Sequence, residues 1–171
     1  MPTLGSSSPS KDPRTNPSLD PSRNPAINPK LNPAIDPSRN PRLDPDWNPA
    51  LDPGWNPAID PSRNPALDPD RNPGIDPDHN PSLDPTRNGS VSRVTVYDLD
   101  LNPVAFLVRA NEKVSLAFGL PGGFTGVAVR NAVDGFTLFN RDPDWIGYLV
   151  PDGRGGYLLF TRDGEWVGFA V

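Results

Sequence analysis

The chain of 171 residues carries a net charge of −5 and contains 25 prolines, 15 glycines and no cysteine. This length suits one or two small domains, and the acidic balance argues against a general binder of nucleic acid or of anionic membranes. Without cysteine the chain has neither a disulfide framework nor thiolate metal sites, and no apolar run approaches the roughly 20 residues of a membrane-spanning helix.

A tetrapeptide repeat occupies the first half of the chain. Residues 1–11 lack the charged start and apolar segment of a signal peptide, and we expect them to be a disordered lead-in. From Asp12 to Arg87 a tetrad that begins with Asn-Pro or Asp-Pro then occurs nineteen times. Asn begins every second tetrad and Asp the others, with Asn28 as the exception. Because Pro at every fourth position excludes a continuous α-helix and Asx-Pro favours a type I turn, residues 12–88 should form an arm of successive turns.

The fourth positions of the tetrads form two rows that predict how this arm winds. The Asn tetrads end in an aliphatic row: Leu19, Ile27, Ile35, Leu43, Leu51, Ile59, Leu67, Ile75 and Leu83. The Asp tetrads end mostly in large polar or aromatic residues: Arg23, Leu31, Arg39, Trp47, Trp55, Arg63, Arg71, His79 and Arg87. Two tetrads per winding would align each row along a thin solenoid, whereas a stiff, extended spacer is the alternative. A single aliphatic row is too thin for a core, so another copy of the arm or the C-terminal domain should cover it.

A second repeat, of β character, follows a linker at residues 89–93. Between residues 94 and 171 similar segments begin at positions 94, 115, 136 and 157, each 21 residues after the last. Each segment reads as a strand, a polar turn and a second strand, which is the pattern of a β-hairpin. The turns are expected near Asp98–Pro103, Gly119–Gly123, Asn140–Asp144 and Thr161–Glu165. The predicted fold class is therefore an all-β domain of four hairpins, a barrel or a sandwich, without long helices.

Both faces of the predicted hairpins are apolar. Pairing Phe139 with Trp145 would place Leu138 opposite Ile146, and the alternation then gives two apolar faces, more than a single solvated sheet tolerates. The chain also stops at Val171, at the end of a strand. Open strand edges pair with neighbouring chains unless they are covered, so this edge indicates association between copies.

Residues that could carry chemistry are few. Three Asp-x-Asp-x-Asn segments resemble the start of a calcium loop but lack its Gly and its final Glu, so calcium is a minor possibility at Asp44, Asp46, Asp68, Asp70, Asp76 and Asp78. Equivalent positions of three hairpins carry Phe124, Trp145 and Trp166, which would stack on sugar rings if exposed or serve in packing if buried. The single histidine, His79, sits in the polar and aromatic row. No catalytic residue, cofactor or enzymatic activity is predicted.

These patterns favour a non-enzymatic structural protein that self-assembles into an oligomer or a fibre. Its interface would be the aliphatic row together with Val171, and its partner another copy of the chain. The alternative is a binding module on a stiff Pro-rich stalk, with a glycan as the favoured ligand at Phe124, Trp145 and Trp166. Nucleic acid and a membrane span are not expected. The composition favours an extracellular or cell-surface location.

Overall fold

A closed β-barrel forms the C-terminal half of the chain in the computed structural model, which describes residues 11–120 and 122–171. Eight antiparallel strands follow one another in chain order around the barrel. They are β1 (Arg93–Asp98), β2 (Pro103–Arg109), β3 (Val114–Gly119), β4 (Phe124–Arg130), β5 (Phe136–Asn140), β6 (Trp145–Pro151), β7 (Tyr157–Thr161) and β8 (Trp166–Ala170). The hairpin repeat is confirmed, because β2, β4, β6 and β8 begin 21 residues apart. Of the two predicted architectures, the barrel is the one that forms.

The strand edges that the sequence left open are paired. Residues 96–98 of β1 pair with residues 168–170 of β8. Beyond this ladder the backbone N–H of Val171 donates to the carbonyl of Thr95 over 3.0 Å, and the N–H of Thr95 donates back to Val171 over 2.9 Å. The prediction of an open edge at Val171 was therefore wrong, because closure of the barrel satisfies the backbone groups on which it rested.

A β-bulge recurs at one place in every hairpin and changes the predicted register. Phe139 pairs with Trp145 as expected, but Leu138 pairs with Gly147, and the prediction that it faces Ile146 was wrong. The extra residue of a bulge shifts one strand by one position, so Leu138 shares a face with Gly147. The four bulges lie between Val96 and Tyr97, Ala117 and Phe118, Leu138 and Phe139, and Leu159 and Phe160.

One face of the sheet lines the interior of the barrel. The rings of Phe136 on β5 and Tyr157 on β7 meet edge to face with centroids 5.4 Å apart, although β6 lies between their strands. Side chains from non-adjacent strands meet in this way on the concave side of a closed sheet. The same buried cluster contains Val94, Val96, Ala105, Leu107, Ala117, Leu138, Leu149, Leu159 and Ala170. We call this side the lumen face and the opposite side the outer face.

Residues 12–88, hereafter the belt, form the predicted series of turns. Between Pro17 and Leu83 each Asn tetrad except that of Asn28 contributes a one-turn 3-10 helix, and a turn formed by an Asp tetrad, or by the Asn28 tetrad, separates it from the next. The nine helices are Pro17–Leu19, Pro25–Ile27, Pro33–Ile35, Pro41–Leu43, Pro49–Leu51, Pro57–Ile59, Pro65–Leu67, Pro73–Ile75 and Pro81–Leu83. All but Lys11 of the expected lead-in lies outside the described residues.

The belt runs around the outer face of the barrel. Side chains from β1, β6, β7 and β8 share one buried cluster with the first half of the belt, through Ile35, Leu43 and Leu51. Side chains from β2, β3, β4 and β5 share a second cluster with Ile59, Leu67, Ile75 and Leu83. At its start, the guanidinium of Arg14 lies 6.0 Å from the ring centroid of Tyr97 on β1. All eight strands are therefore covered by the belt of the same chain.

The belt presents two apolar rows to the barrel. From Ile27 to Leu83 the aliphatic row is at most 8 % exposed. The proline of an Asp tetrad follows each aliphatic residue by two positions. These prolines, from Pro13 to Pro85, are buried as well, whereas the prolines of the Asn tetrads are exposed. The proline row was missed because proline was weighed only as a turn former. Of the two covers that the sequence allowed for the aliphatic row, the chain's own C-terminal domain is the one present.

Candidate functional site

A cavity of about 340 Å³ opens into the lumen at one end of the barrel. This end, hereafter the mouth, carries the links between successive hairpins, and the opposite turn end carries the four hairpin turns. The cavity walls come from β1, β2, β3, β4, β5 and β7, so they converge from most of the barrel's circumference. Its apolar wall is formed by Val94, Leu107, Phe136 and Tyr157.

Small side chains stand among the large ones on the lumen face. The lumen of an eight-stranded barrel is ordinarily just wide enough for side chains to fill. Here bulky residues of the strands lie on both faces, in the lumen and beneath the belt. Alanine residues 105, 117 and 170 belong to the lumen cluster, and Gly147 and Gly168 pair with its members Leu138 and Leu159. These small residues leave room on the lumen face that larger side chains would fill.

Three arginines surround the cavity, and Glu112 is the one carboxylate of its lining. The Arg130 guanidinium pairs with Asp134 over 3.2 Å, with both side chains largely in solvent. Arg109 donates from Nε to a backbone carbonyl of the adjoining turn over 3.3 Å, and Arg93 lies over an outer-face ring at 5.2 Å. The lining is therefore cationic in a chain whose net charge is −5.

Ser115 adds a hydroxyl to the wall of the cavity. This residue of β3 is only 8 % exposed and lines the cavity. Among the described residues its hydroxyl has no hydrogen-bond partner. Every side-chain polar atom of the described residues that is sealed from solvent has a partner, so this unpaired hydroxyl is accessible and can bond to a molecule or water in the cavity. Mostly apolar walls with a few placed polar groups are the usual composition of a small-molecule site.

The aromatic residues predicted as a glycan platform lie on the outer face at the turn end. Phe124, Trp145 and Trp166 are half-buried. Arg141 lies over the ring of Phe124, and Arg162 over that of Trp145, each at 4.6 Å. The indole N–H of each tryptophan donates to the carbonyl two residues ahead, over 3.0 and 2.8 Å. The structure thus uses these rings in packing and covers two of them with guanidinium groups.

The aspartates predicted as calcium ligands are not brought together. Across residues 11–120 and 122–171 no group of three or more His, Cys, Asp or Glu side chains could hold a metal ion. The first aspartate of each pair caps its own turn: Asp44 accepts the N–H two residues on over 2.9 Å, and Asp68 accepts both such an N–H and the guanidinium of Arg71. The others are Asp46, Asp70, Asp76 and Asp78, spread along the belt.

The predicted assembly residues lie largely between belt and barrel. From Ile27 to Leu83 the aliphatic row is buried, while Leu19 and Val171 are half-buried. Self-association stays a prediction, and the row has little free surface to contribute to it.

The mouth was missed because its residues are far apart in the sequence and converge only when the barrel closes. One signal was present. Arg109 and Arg130 occupy the same position of successive repeats, at the ends of β2 and β4, and so had to emerge at the same end of any hairpin array. Placing them beside the lumen face also needed the bulges, which the period of 21 does not reveal.

Comparisons of the chain with protein-family models, with curated proteins and with solved structures gave no match. In the described part of the chain, no helix has both the length and the apolar character to cross a membrane. The geometry of the molecule is thus the guide to its function.

Proposed function

We propose that the chain is a non-enzymatic binding module that takes a small amphipathic anion into the mouth of its barrel. The observation that carries this proposal is the cavity of about 340 Å³, where apolar side chains from four strands meet Arg109 and Arg130, with Arg93 also part of the lining. Its volume lies near the lower end of the range of about 300–1,000 Å³ typical of small-molecule sites. The lining contains no histidine or cysteine and a single carboxylate, which favours binding over acid–base or nucleophilic chemistry.

The arrangement fixes the orientation of the ligand. An apolar tail would enter the lumen between Leu107, Phe136 and Tyr157, where burial removes its surface from water. A carboxylate, sulfonate or phosphate would remain at the rim, where guanidinium groups bind such anions through paired hydrogen bonds. The hydroxyl of Ser115 offers a further polar contact inside the wall.

Isothermal titration calorimetry with three eight-carbon probes tests the proposal. Octanoate, octanol and octylammonium share a tail and differ in the charge of the head group. We expect octanoate to bind at least about tenfold more tightly than octanol, and octylammonium to bind most weakly of the three, because the rim is cationic. Equal affinities for octanoate and octylammonium, or no binding of any probe, would overturn the proposal.

Substitutions at the mouth test whether the probes bind there. Arg109→Gln and Arg130→Gln should each weaken octanoate binding about tenfold and leave octanol unchanged, because each removes one charge-assisted contact. Ser115→Leu should abolish the binding of both by filling the cavity. Arg42→Gln, an equal loss of charge on the belt, is the matched control and should bind like the parent protein. An effect of Arg42→Gln equal to that of the rim variants would show a non-specific charge effect.

A second candidate is the self-assembling structural protein expected from the sequence. The observation that favours it is a group of exposed apolar side chains near the turn end, between 43 % and 52 % exposed: Leu99, Val104, Leu120 and Ile146. Exposed apolar groups of this kind mark contact surfaces. Sedimentation should then show species above 18.5 kDa that Leu120→Gln with Ile146→Gln disperses. A monomer at every concentration contradicts this candidate.

A further inference from the structure

Hydrogen bonding explains the alternation of Asn and Asp in the belt. Both side chains accept the N–H two residues on, as Asn48 does over 3.2 Å and Asp60 over 3.0 Å. The amide of Asn48 also donates to the carbonyl six residues back over 2.8 Å. The second carboxylate oxygen of Asp60 instead accepts from Arg63 over 3.0 Å. Asn tetrads therefore use a side-chain hydrogen-bond donor, whereas Asp tetrads use a second side-chain acceptor.

The arginine of an Asp tetrad clamps two windings together. Arg39 donates from Nε to Asp36 over 2.8 Å and from Nη2 to the carbonyl of Pro29, ten residues back, over 2.7 Å. One guanidinium thus satisfies a carboxylate and a proline carbonyl at once. The same pair of bonds occurs at Arg23, Arg63, Arg71 and Arg87.

At two of the four positions between Arg23 and Arg87 that lack the arginine, the belt compensates for its absence. Leu31 replaces one arginine, and in the same tetrad Asn28 replaces the aspartate and donates its amide to the carbonyl of Pro21 over 3.2 Å. His79 replaces another and keeps the bond to Asp76 over 2.8 Å. Asn28, the single Asn among the Asp tetrads, is thus explained by Leu31, which takes the place of the arginine in the same tetrad.

Trp47 and Trp55 replace the clamp in two consecutive windings without compensation. Their side chains are 76 % and 78 % exposed, which is unusual for the largest apolar residue. Asp44 and Asp52 still cap their turns with Oδ1. Within the described residues nothing donates to their Oδ2 atoms or to the proline carbonyls ten residues before each tryptophan. The surface therefore combines two free indole faces with free oxygen acceptors.

A small cavity lies beside the tetrad that ends in Trp47, although the indole is not part of its lining. It holds about 90 Å³ and is lined by Asp44, Asp46, Tyr148 and Arg162, among others. Burial, and then the nearby carboxylates, raise the pKa of the Tyr148 hydroxyl, so that it stays protonated and able to donate. The cavity thus offers both donors and acceptors at the scale of one hydroxyl or hydroxymethyl group.

We propose that Trp47 and Trp55, with Asp44 and Asp52, form a binding strip for a neutral carbohydrate chain. A pyranose ring has an apolar face that packs on an indole and hydroxyl groups that donate to carboxylate and carbonyl oxygens. The uncompensated aspartates repel anions, which separates this strip from the mouth of the barrel. Successive windings would engage successive parts of the chain, so the affinity grows with the length of the oligosaccharide.

The test exploits the repeat itself, because Trp47→Arg and Trp55→Arg restore the residue that the belt uses elsewhere. Both variants should fold and melt at or above the temperature of the parent protein. The probes are cellohexaose, chitohexaose and maltohexaose, followed by tryptophan fluorescence and calorimetry. We expect at least one of them to bind, with each variant weakening it about tenfold or more. Leu31→Gln, on the same row and 64 % exposed at the parent residue, should bind normally.

Two results would overturn the strip. One is that none of the three hexasaccharides binds the parent protein. The other is that one binds equally well to the Trp47→Arg, Trp55→Arg double variant after circular dichroism has shown it to be folded. Arg109→Gln should leave oligosaccharide binding unchanged, so failure of the strip and failure of the mouth proposal are distinguishable.

Discussion

At the scale of single residues, an amide and a carboxylate of the same shape are not interchangeable in the belt. Asn supplies an N–H to the preceding winding, whereas Asp supplies an oxygen to an arginine. The alternation of Asn and Asp is visible in the sequence. Its cause could not be predicted, because the hydrogen-bond partners lie six and ten residues away and are identified only once the winding is known.

Asn48→Asp tests the amide ladder. The substitution removes the donor to the carbonyl of Arg42 and places a carboxylate oxygen against that carbonyl. We expect a loss of about 1–3 kcal/mol in the free energy of unfolding, measured by urea denaturation with circular dichroism. Asp52→Asn is the matched control, because Oδ2 of Asp52 has no intramolecular donor among the described residues, and it should change stability by less than about 0.5 kcal/mol. Equal effects of the two variants would contradict the ladder.

The belt carboxylates predict a loss of stability in acid. Burial alone would raise the pKa of Asp36 and Asp60, but hydrogen bonds from neighbouring serine and arginine side chains outweigh it and lower the pKa of both. A carboxylate with a lowered folded pKa stabilises the fold above its unfolded pKa of about 3.9. That contribution is lost as the pH falls through the lower, folded value.

We therefore expect the melting temperature to stay level down to about pH 5 and to fall below about pH 4. Asp36→Asn should lower the melting temperature at neutral pH and flatten its decline in acid. A melting curve unchanged from pH 7 to pH 2 would refute the assignment of these carboxylates as stabilising groups.

At the scale of elements, features set by local residue spacing could be predicted from the sequence, whereas features set by long-range contacts could not. The hairpins, their turns and the 3-10 turns follow from residue spacing and were predicted. The bulge between Leu138 and Phe139 was not, because it preserves the period while moving one strand by a residue. The cover of the aliphatic row was also left open, since a second copy and the barrel would bury the same residues.

Leu51→Ala tests how much the packing of the belt on the barrel contributes to the free energy of unfolding. Leu51 is 3 % exposed in the cluster shared with β1, β6, β7 and β8. Truncation of a buried leucine costs about 2–5 kcal/mol, and we expect a loss in this range in urea denaturation. Leu31→Ala is the control, because Leu31 lies on the same belt and is 64 % exposed. A change below about 0.5 kcal/mol at both positions would mean that the belt does not pack on the barrel.

At the scale of the whole molecule, belt and barrel share two buried apolar clusters. Both large apolar clusters contain residues of each, so neither half has a complete core alone. Large residues lie outside under the belt, whereas the lumen face mixes large residues with alanine. None of the described residues that line the cavity at the mouth belongs to the belt.

Small-angle X-ray scattering tests most directly whether the belt encircles the barrel. A compact chain of 171 residues has a radius of gyration of about 16 Å, and we predict this value at every concentration at which the protein is monomeric. A Pro-rich stalk over residues 12–88 would instead extend for about 240 Å at about 3.1 Å per residue. A maximum dimension above about 100 Å in a monomer would show that the belt stands away from the barrel and would contradict the account.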